Sequence, residues 1–389
     1  MSAITTARPE ASSATSRQVA YLTAPALVFL GVRAIGLVVL AWMAARNGRS
    51  ITTALTSWDG HWFLGLAQGG YGAAGRDLVD AHFQHDQSNL LAFFPGFPAL
   101  TSLIAHVPGV TLVDAAFAVT VLSGLACSYG VVRLGESVPG GSRRLGLVLA
   151  ALFAASPMAV VLSMTYSEAL FCAFAVWSLV FTLERRWAWA GVFCALSGLV
   201  RPTAAAVIVA VGLAAVIAIV RREDGWRPWV GALVAPVGLV GYLAWVGVRT
   251  GSWDGWFQVQ QRGWGSQFDG GIATFKFALD ALASGRSVLE VLTVGLCVVA
   301  IALVVLCIRR RVPWPLIAYG IAVLIMDLGS NGLMNSKARL MLPAFVLLIP
   351  VGMALVRRLR STQWLTLVTV SVMSAWFGAY AITAWPYAI

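Results

Sequence analysis

Charge is scarce in this chain. Asp, Glu, Lys and Arg together make up 11% of 389 residues, where a soluble domain carries about 25%. Lysine is nearly missing: only Lys276 and Lys337 occur, against 25 arginines. The five cysteines (Cys127, Cys172, Cys194, Cys297 and Cys307) all lie in apolar runs, with no CxxC pair and no metal-ligand spacing. They read as small apolar filler, which excludes a cysteine-built metal centre. There is no P-loop, no GxGxxG after a strand, no GxSxG and no nucleic-acid module. No soluble domain able to hold a nucleotide sugar is recognisable either.

What is present is apolar. Hydrophobic residues reach 59% and the mean hydropathy is +0.82. A soluble core stops growing at about 250–300 residues, so this much apolar surface requires lipid as its solvent. The formal charge of +11 would suggest a nucleic-acid partner in a soluble protein. Here the arginines form short clusters between apolar runs, which is a topology signal, and no nucleic-acid partner is expected.

The expected fold is an all-α polytopic membrane protein. Apolar runs of spanning length fall at 19–43, 112–133, 145–162, 167–183, 187–202, 203–220, 229–248, 288–308, 314–330, 339–356 and 364–385. That is about 11 transmembrane helices, within a range of 10–12; the junction at Arg201-Pro202 reads as either a turn or a kink. Residues 1–18, rich in Ser, Thr and Ala, are expected to be a disordered cytoplasmic tail, and 19–389 a single membrane-embedded domain. With the N-terminus inside, alternate loops collect Arg133, Arg143, Arg144, Arg185, Arg186, Arg221, Arg222, Arg227, Arg309, Arg310, Arg311, Arg357, Arg358 and Arg360. The implied location is the cell (plasma) membrane, with those clusters cytoplasmic.

Two long loops, 44–111 and 249–287, then lie outside. Loops of that length are usually functional. Amphipathic stretches at 58–68, 94–106 and 272–283 suit interfacial helices. All four histidines (His61, His82, His85 and His106) fall in the first loop, with Asp59, Asp77, Asp80 and Asp86. The alternative for this polar set is a solvated loop.

Three segments stand out. Ser57-Trp58-Asp59-Gly60-His61-Trp62-Phe63 puts a carboxylate at the membrane surface, where it suits a general base acting on a hydroxyl beside a lipid; helix capping by Asp59 is the plain alternative. Asn89–Pro98 holds two prolines and a glycine that oppose a regular helix in an aromatic run suited to a lipid-chain groove or to interfacial anchoring. Thr165–Phe171 sets Glu168 at the start of a span, as a functional acid or one favoured at a helix N-terminus. Asp254, in Ser252-Trp253-Asp254-Gly255-Trp256-Phe257, echoes the first segment and is the rival base.

The runs SWDGHWFLGLAQGGY (57–71), AFFPGFPAL (92–100), TYSEALF (165–171), GLVRPTA (198–204), GSWDGWFQVQQRGW (251–264) and ARLMLPAF (338–345) together resemble the PIG-V (GPI mannosyltransferase 2)-like family, in a bacterial form. That family belongs to the C-type glycosyltransferase superfamily. The chain departs from it where Trp62 stands in place of a histidine and Leu340 follows Arg339.

The resemblance implies a C-type glycosyltransferase fold and transfer of mannose from a polyprenyl-phosphate-mannose donor, on the extracytoplasmic face, to a glycolipid, glycan or protein acceptor. It implies inversion, with Asp59 as catalytic base. Arg201, Arg262, Lys337 and Arg339 are the candidates for the donor phosphate, and His61, His85, Asp86, Glu168 and Asp254 for sugar or acceptor hydroxyls. No cofactor and no metal is expected. The competing expectations are transfer of another sugar from the same kind of carrier, and lipid or solute transport.

Overall fold

The computed structural model describes residues 10–72, 78–284 and 287–385, with 10–17 as backbone only. Residues 1–9 of the expected tail, and Asp77, lie outside the described residues; the first helix begins at Glu10. The described residues are helical throughout, with no strand beyond an isolated antiparallel bridge between Phe268 and Ser330.

Helical segments stand at each of the eleven expected positions, but among the described residues five qualify by length and composition as membrane-crossing. These are Gln18–Arg46, Leu112–Ser137, Arg227–Thr250, Val288–Arg309 and Arg360–Thr383. A sixth is counted if Met334–Leu340 and Leu342–Val356 form one span bent by 51°. The apolar helices Glu168–Leu183, Trp187–Gly198, Ala204–Val220 and Trp314–Leu328 are shorter. Eleven crossings are therefore not established.

Proline accounts for most of the discrepancies. The run expected to span at 145–162 is instead Arg143–Ala154, a break at Ser156-Pro157, and a 3-10 turn over Ala159–Ser163. The segment after Leu340 likewise breaks beside Pro343, where Ala344 leaves helical geometry, while Pro350 sits in the first turn of the Ile349–Val356 helix. Arg201-Pro202 lies in a turn between two separate helices. In the first loop, Pro95 is the N-cap and Pro98 falls in the first turn of the helix Gly96–Ala105, where proline is tolerated. The sequence expectation of irregular backbone across 89–98 thus holds only up to Pro95.

The first helix contains Pro25, which has no N–H for the carbonyl of Tyr21. Arg143 Nη2 donates to that carbonyl at 2.6 Å, and Tyr129 Oη donates to Leu22 O at 2.7 Å. Ser128 Oγ donates to the Pro25 carbonyl itself at 2.8 Å. Arg33, buried inside the first span, donates to Ala154 O at 2.9 Å and to Ser163 Oγ at 3.0 Å, closing the open end of the Arg143–Ala154 helix.

The centre of the molecule is the Glu168–Leu183 helix, apolar all round and buried along nearly its whole length. Leu112–Ser137 packs along it. Leu112–Ser137 in turn meets Arg143–Ala154 where a Cβ on Gly135 would lie 2.5 Å from Gly146 Cα; small residues allow that backbone contact.

Helices occupy the three amphipathic stretches, as Asp59–Gly69, Gly96–Ala105 and Ile272–Ser284. Ile272, Phe275, Leu279 and Leu282 are exposed along one face of the last. Gly255–Trp264, unanticipated as a helix, completes the second loop.

Candidate functional site

Segments far apart in sequence converge at the N-terminus of the Asp59–Gly69 helix. Trp58, just before it, has φ 56°, a left-handed backbone costly for a bulky residue and one that gathers at functional sites. Asp59 N–H donates to Tyr166 Oη at 3.2 Å, and Thr165 N–H to Leu55 O at 3.1 Å. Gly60 makes the approach possible, since a Cβ there would stand 2.5 Å from Thr165 Oγ1. The Pro-Gly-Phe segment joins through Gly96 N–H, which donates to Leu199 O at 2.7 Å, two residues before Arg201.

Four charged side chains meet at this junction. Arg339 Nη1 lies 2.6 Å from Asp59 Oδ2, and its Nε lies 3.5 Å from Glu168 Oε1. Arg201 Nη1 reaches Glu168 Oε1 at 2.8 Å and donates to Ser167 Oγ at 3.1 Å. The Arg339 guanidinium stands over the Tyr166 ring, 5.2 Å from its centroid, a cation–π arrangement. Burial pushes the Tyr166 phenol well above its usual titration range, so it stays a neutral hydroxyl.

The charges balance, two guanidinium groups against two carboxylates, as burial requires. Glu168 is fully buried, whereas the Asp59 side chain is 26% exposed and its partner Arg339 only 9%. Asp59 is thus the open end of a closed network. Its Oδ1 takes no hydrogen bond among the described residues. A carboxylate oriented by one fixed arginine, with a lone-pair-bearing oxygen outward, is chemically suited to accept a proton.

The remaining sequence candidates lie elsewhere. His61 is exposed on the Asp59–Gly69 helix. His85 is exposed and its Nδ1 meets Leu78 O at 3.0 Å. Asp86 caps the 3-10 turn Gln87–Ala92 through Ser88 N–H. Hydrogen bonding to Ser88 holds its carboxyl below the usual range, and the positive charge of Arg262 acts in the same direction. Arg262 is exposed, so it forms with His85 and Asp86 a second polar group outside the network. Asp254 accepts from Ser252 Oγ at 2.5 Å and Gln258 Nε2 at 2.8 Å; it has no ion pair among the described residues.

Lys337 is buried, donating from Nζ to the carbonyl oxygens of Asp327 and Ser330 and lying 3.9 Å from Asp327 Oδ1. It also borders an apolar cleft of about 700 Å³, walled by Phe275, Val294, Val298, Ile301 and Ile325.

The aromatic run read as a lipid groove or interfacial anchor is largely core. Phe94 and Phe97 are 2% and 0% exposed. Phe97 packs edge-on against Phe63, and Phe94 against Tyr242 and Trp256. Two residues were missed as candidates. Tyr166 sat inside a quoted run without a role. Asp80 is buried and accepts from Asn89 Nδ2 at 3.1 Å and from the backbone N–H groups of His82 and Gln84. Beside it, Ala81 N–H donates to Gly263 O at 3.1 Å and ties the two long loops together.

No family model matches the chain, and no curated protein sequence matches it. Its fold is shared with ArnT from Cupriavidus metallidurans. The crystal structure of ArnT bound to undecaprenyl phosphate matches at 17% identity with a TM-score of 0.50, over 87% of this chain and 62% of that one. The apo structure of ArnT matches at 17% identity and TM-score 0.51, over 92% of this chain and 62% of that one. The chain therefore spans about 62% of the length of ArnT. The likeness shows the fold; the PIG-V resemblance rests on the sequence motifs.

Proposed function

We propose that the protein is a membrane glycosyltransferase that moves mannose from a polyprenyl-phosphate-mannose donor to a glycolipid, glycan or protein acceptor on the extracytoplasmic face. The carrying observation is the network itself: Asp59 is its one partly open carboxylate, held by a buried arginine. Three features support the reading. The fold is that of ArnT; ArnT binds undecaprenyl phosphate, a carrier of the proposed class; and the apolar cleft bordered by Lys337 suits a hydrocarbon chain.

In the proposed step Asp59 takes the proton from an acceptor hydroxyl as that oxygen bonds to the anomeric carbon. The bond from that carbon to the phosphate oxygen breaks, the electron pair leaves with the lipid phosphate, and configuration inverts. Arg339 orients Asp59, and Arg201, in the turn before the Ala204–Val220 helix, and Arg262, in the last turn of the Gly255–Trp264 helix, supply the cations a leaving phosphate needs. His61, His85 and Asp86 supply hydrogen-bonding groups for sugar hydroxyls.

The test compares membranes carrying Asp59→Asn and Asp254→Asn at matched expression, with radiolabelled polyprenyl-phosphate-mannose. Loss of about 10²-fold or more of label transfer in Asp59→Asn, with Asp254→Asn near wild type, is expected. Near-normal transfer in Asp59→Asn removes Asp59 from the mechanism. Transfer of a different sugar, and none of mannose, corrects the donor.

A further inference from the structure

We infer that Lys337 is a positioning residue that sets the catalytic base through Arg339, rather than a ligand of the donor phosphate; this rests on the transfer reading above. An ammonium group has three N–H donors. In Lys337 two go to the carbonyl oxygens of Asp327 and Ser330, and the Asp327 carboxylate lies 3.9 Å away. The third donor makes no hydrogen bond among the described residues, but the side chain is only 3% exposed and faces that carboxylate, so it is closed to a phosphate.

The two carbonyls belong to one turn. Asp327 is in the last turn of the Trp314–Leu328 helix, where a cation is favourable, and Ser330 follows it. The same turn receives the second outer loop: Asp269 N–H donates to Gly329 O at 2.9 Å, and Asn331 Oδ1 accepts from Gln267 N–H at 2.6 Å. Lys337 opens the four-residue helix Lys337–Leu340, and Arg339 stands two positions on. A helix this short has almost no stability of its own. Beyond Leu340 the chain bends by 51°, so the following segment does not continue its axis. Lys337 therefore clamps the one element that carries Arg339 to a turn already fixed by the second loop. From that anchor Arg339 reaches 2.6 Å from Asp59.

Removing Lys337 alone leaves Asp327 buried without its cation, a change that risks unfolding. The working variant is Lys337→Met with Asp327→Asn, beside Lys337→Met itself. The first readout is release of polyprenyl phosphate from labelled polyprenyl-phosphate-mannose. The expected result is kcat lowered about 10–100-fold with the donor KM within about twofold. In an Arg339→Gln background the same change costs nothing further, because its route is already cut. A donor KM raised tenfold or more at unchanged kcat makes Lys337 a phosphate contact and overturns the inference. So does an undiminished cost in the Arg339→Gln background.

The second readout needs no turnover. In Asp59→Cys the new thiol faces Arg339, and its alkylation by iodoacetamide is followed against pH. Peptide mass spectrometry separates it from the partly accessible Cys297. A neighbouring guanidinium lowers a thiol pKa by about 1–3 units. Adding Lys337→Met with Asp327→Asn raises the midpoint by about one unit, and Arg339→Gln raises it as far. A midpoint that ignores the Lys337 change overturns the inference. If wild-type membranes release no lipid phosphate while the thiol midpoint shifts, the transfer reading fails and the positioning role stands.

Discussion

Replacing Gly60 with alanine tests whether the contact between two distant segments sets the base. In an ordinary helix the change is favourable by about 1 kcal/mol. Here the new Cβ would stand 2.5 Å from Thr165 Oγ1, about an ångström too close. Overpacking of this kind costs about 1–3 kcal/mol, leaving a net loss of about 0–2 kcal/mol. The effect on transfer should be larger, because the displaced element carries Asp59, and an error of about 1 Å in a catalytic group costs about 10²-fold. The opposing atom can be removed. Thr165 Oγ1 is buried without a hydrogen-bond partner, so Thr165→Ala forfeits little polar bonding. In the double variant the nearest atoms would be Tyr166 Cε1 at 3.6 Å and the residue-165 Cβ at 3.9 Å, ordinary contacts. The expectation is that Gly60→Ala loses most label transfer, Thr165→Ala keeps it, and the pair recovers it. The assay is initial-rate transfer in membranes, with size-exclusion profiles as the folding control. Gly60→Ala within about twofold of wild type, or no recovery in the pair, refutes the reasoning.

Two further outcomes follow from burial. Glu168→Gln leaves two arginines facing one carboxylate and should cost about 3–5 kcal/mol, seen as a lower melting temperature in detergent; adding Arg201→Gln should return part of it, and a wild-type melting temperature in the single variant argues against a buried ion network. Phe97→Ala should cost about 3–5 kcal/mol and Phe97→Leu clearly less, because Phe97 is wholly inside the protein; an unchanged melting temperature for Phe97→Ala would return that residue to the lipid-facing role first expected of it.

Hydropathy located the helices because a run of apolar residues must be helical in lipid. It read through Ser156-Pro157 and Pro343, since a backbone break leaves no mark on an apolar average. It also misjudged Phe94 and Phe97, because a protein core and a lipid chain are equally apolar partners. Asp59, Glu168, Arg201 and Arg339 each drew notice as charges close to helix ends, where charge is costly. Their assembly into one network was not legible, since Asp59 and Arg339 are 280 positions apart. Lys337 and Arg339 looked equivalent on the same short turn, yet one side chain turns to backbone carbonyls and the other to carboxylates. The echo at Asp254 repeats the letters around Asp59, but its side chain bonds to Ser252 and Gln258 within its own turn.

The proline in the first helix bears on the order of events during synthesis. The carbonyls of Tyr21 and Leu22 are served by Arg143 and Tyr129, residues made more than a hundred positions later. When the first helix leaves the ribosome those partners do not yet exist. An unserved carbonyl in hydrocarbon costs several kcal/mol, so until then this end of the helix must stay where water or lipid headgroups can serve it. The first span is therefore finished only when the Arg143–Ala154 segment arrives, and a nascent chain cut before Arg143 should hold its first helix in a shallower seat than the full 389-residue chain does.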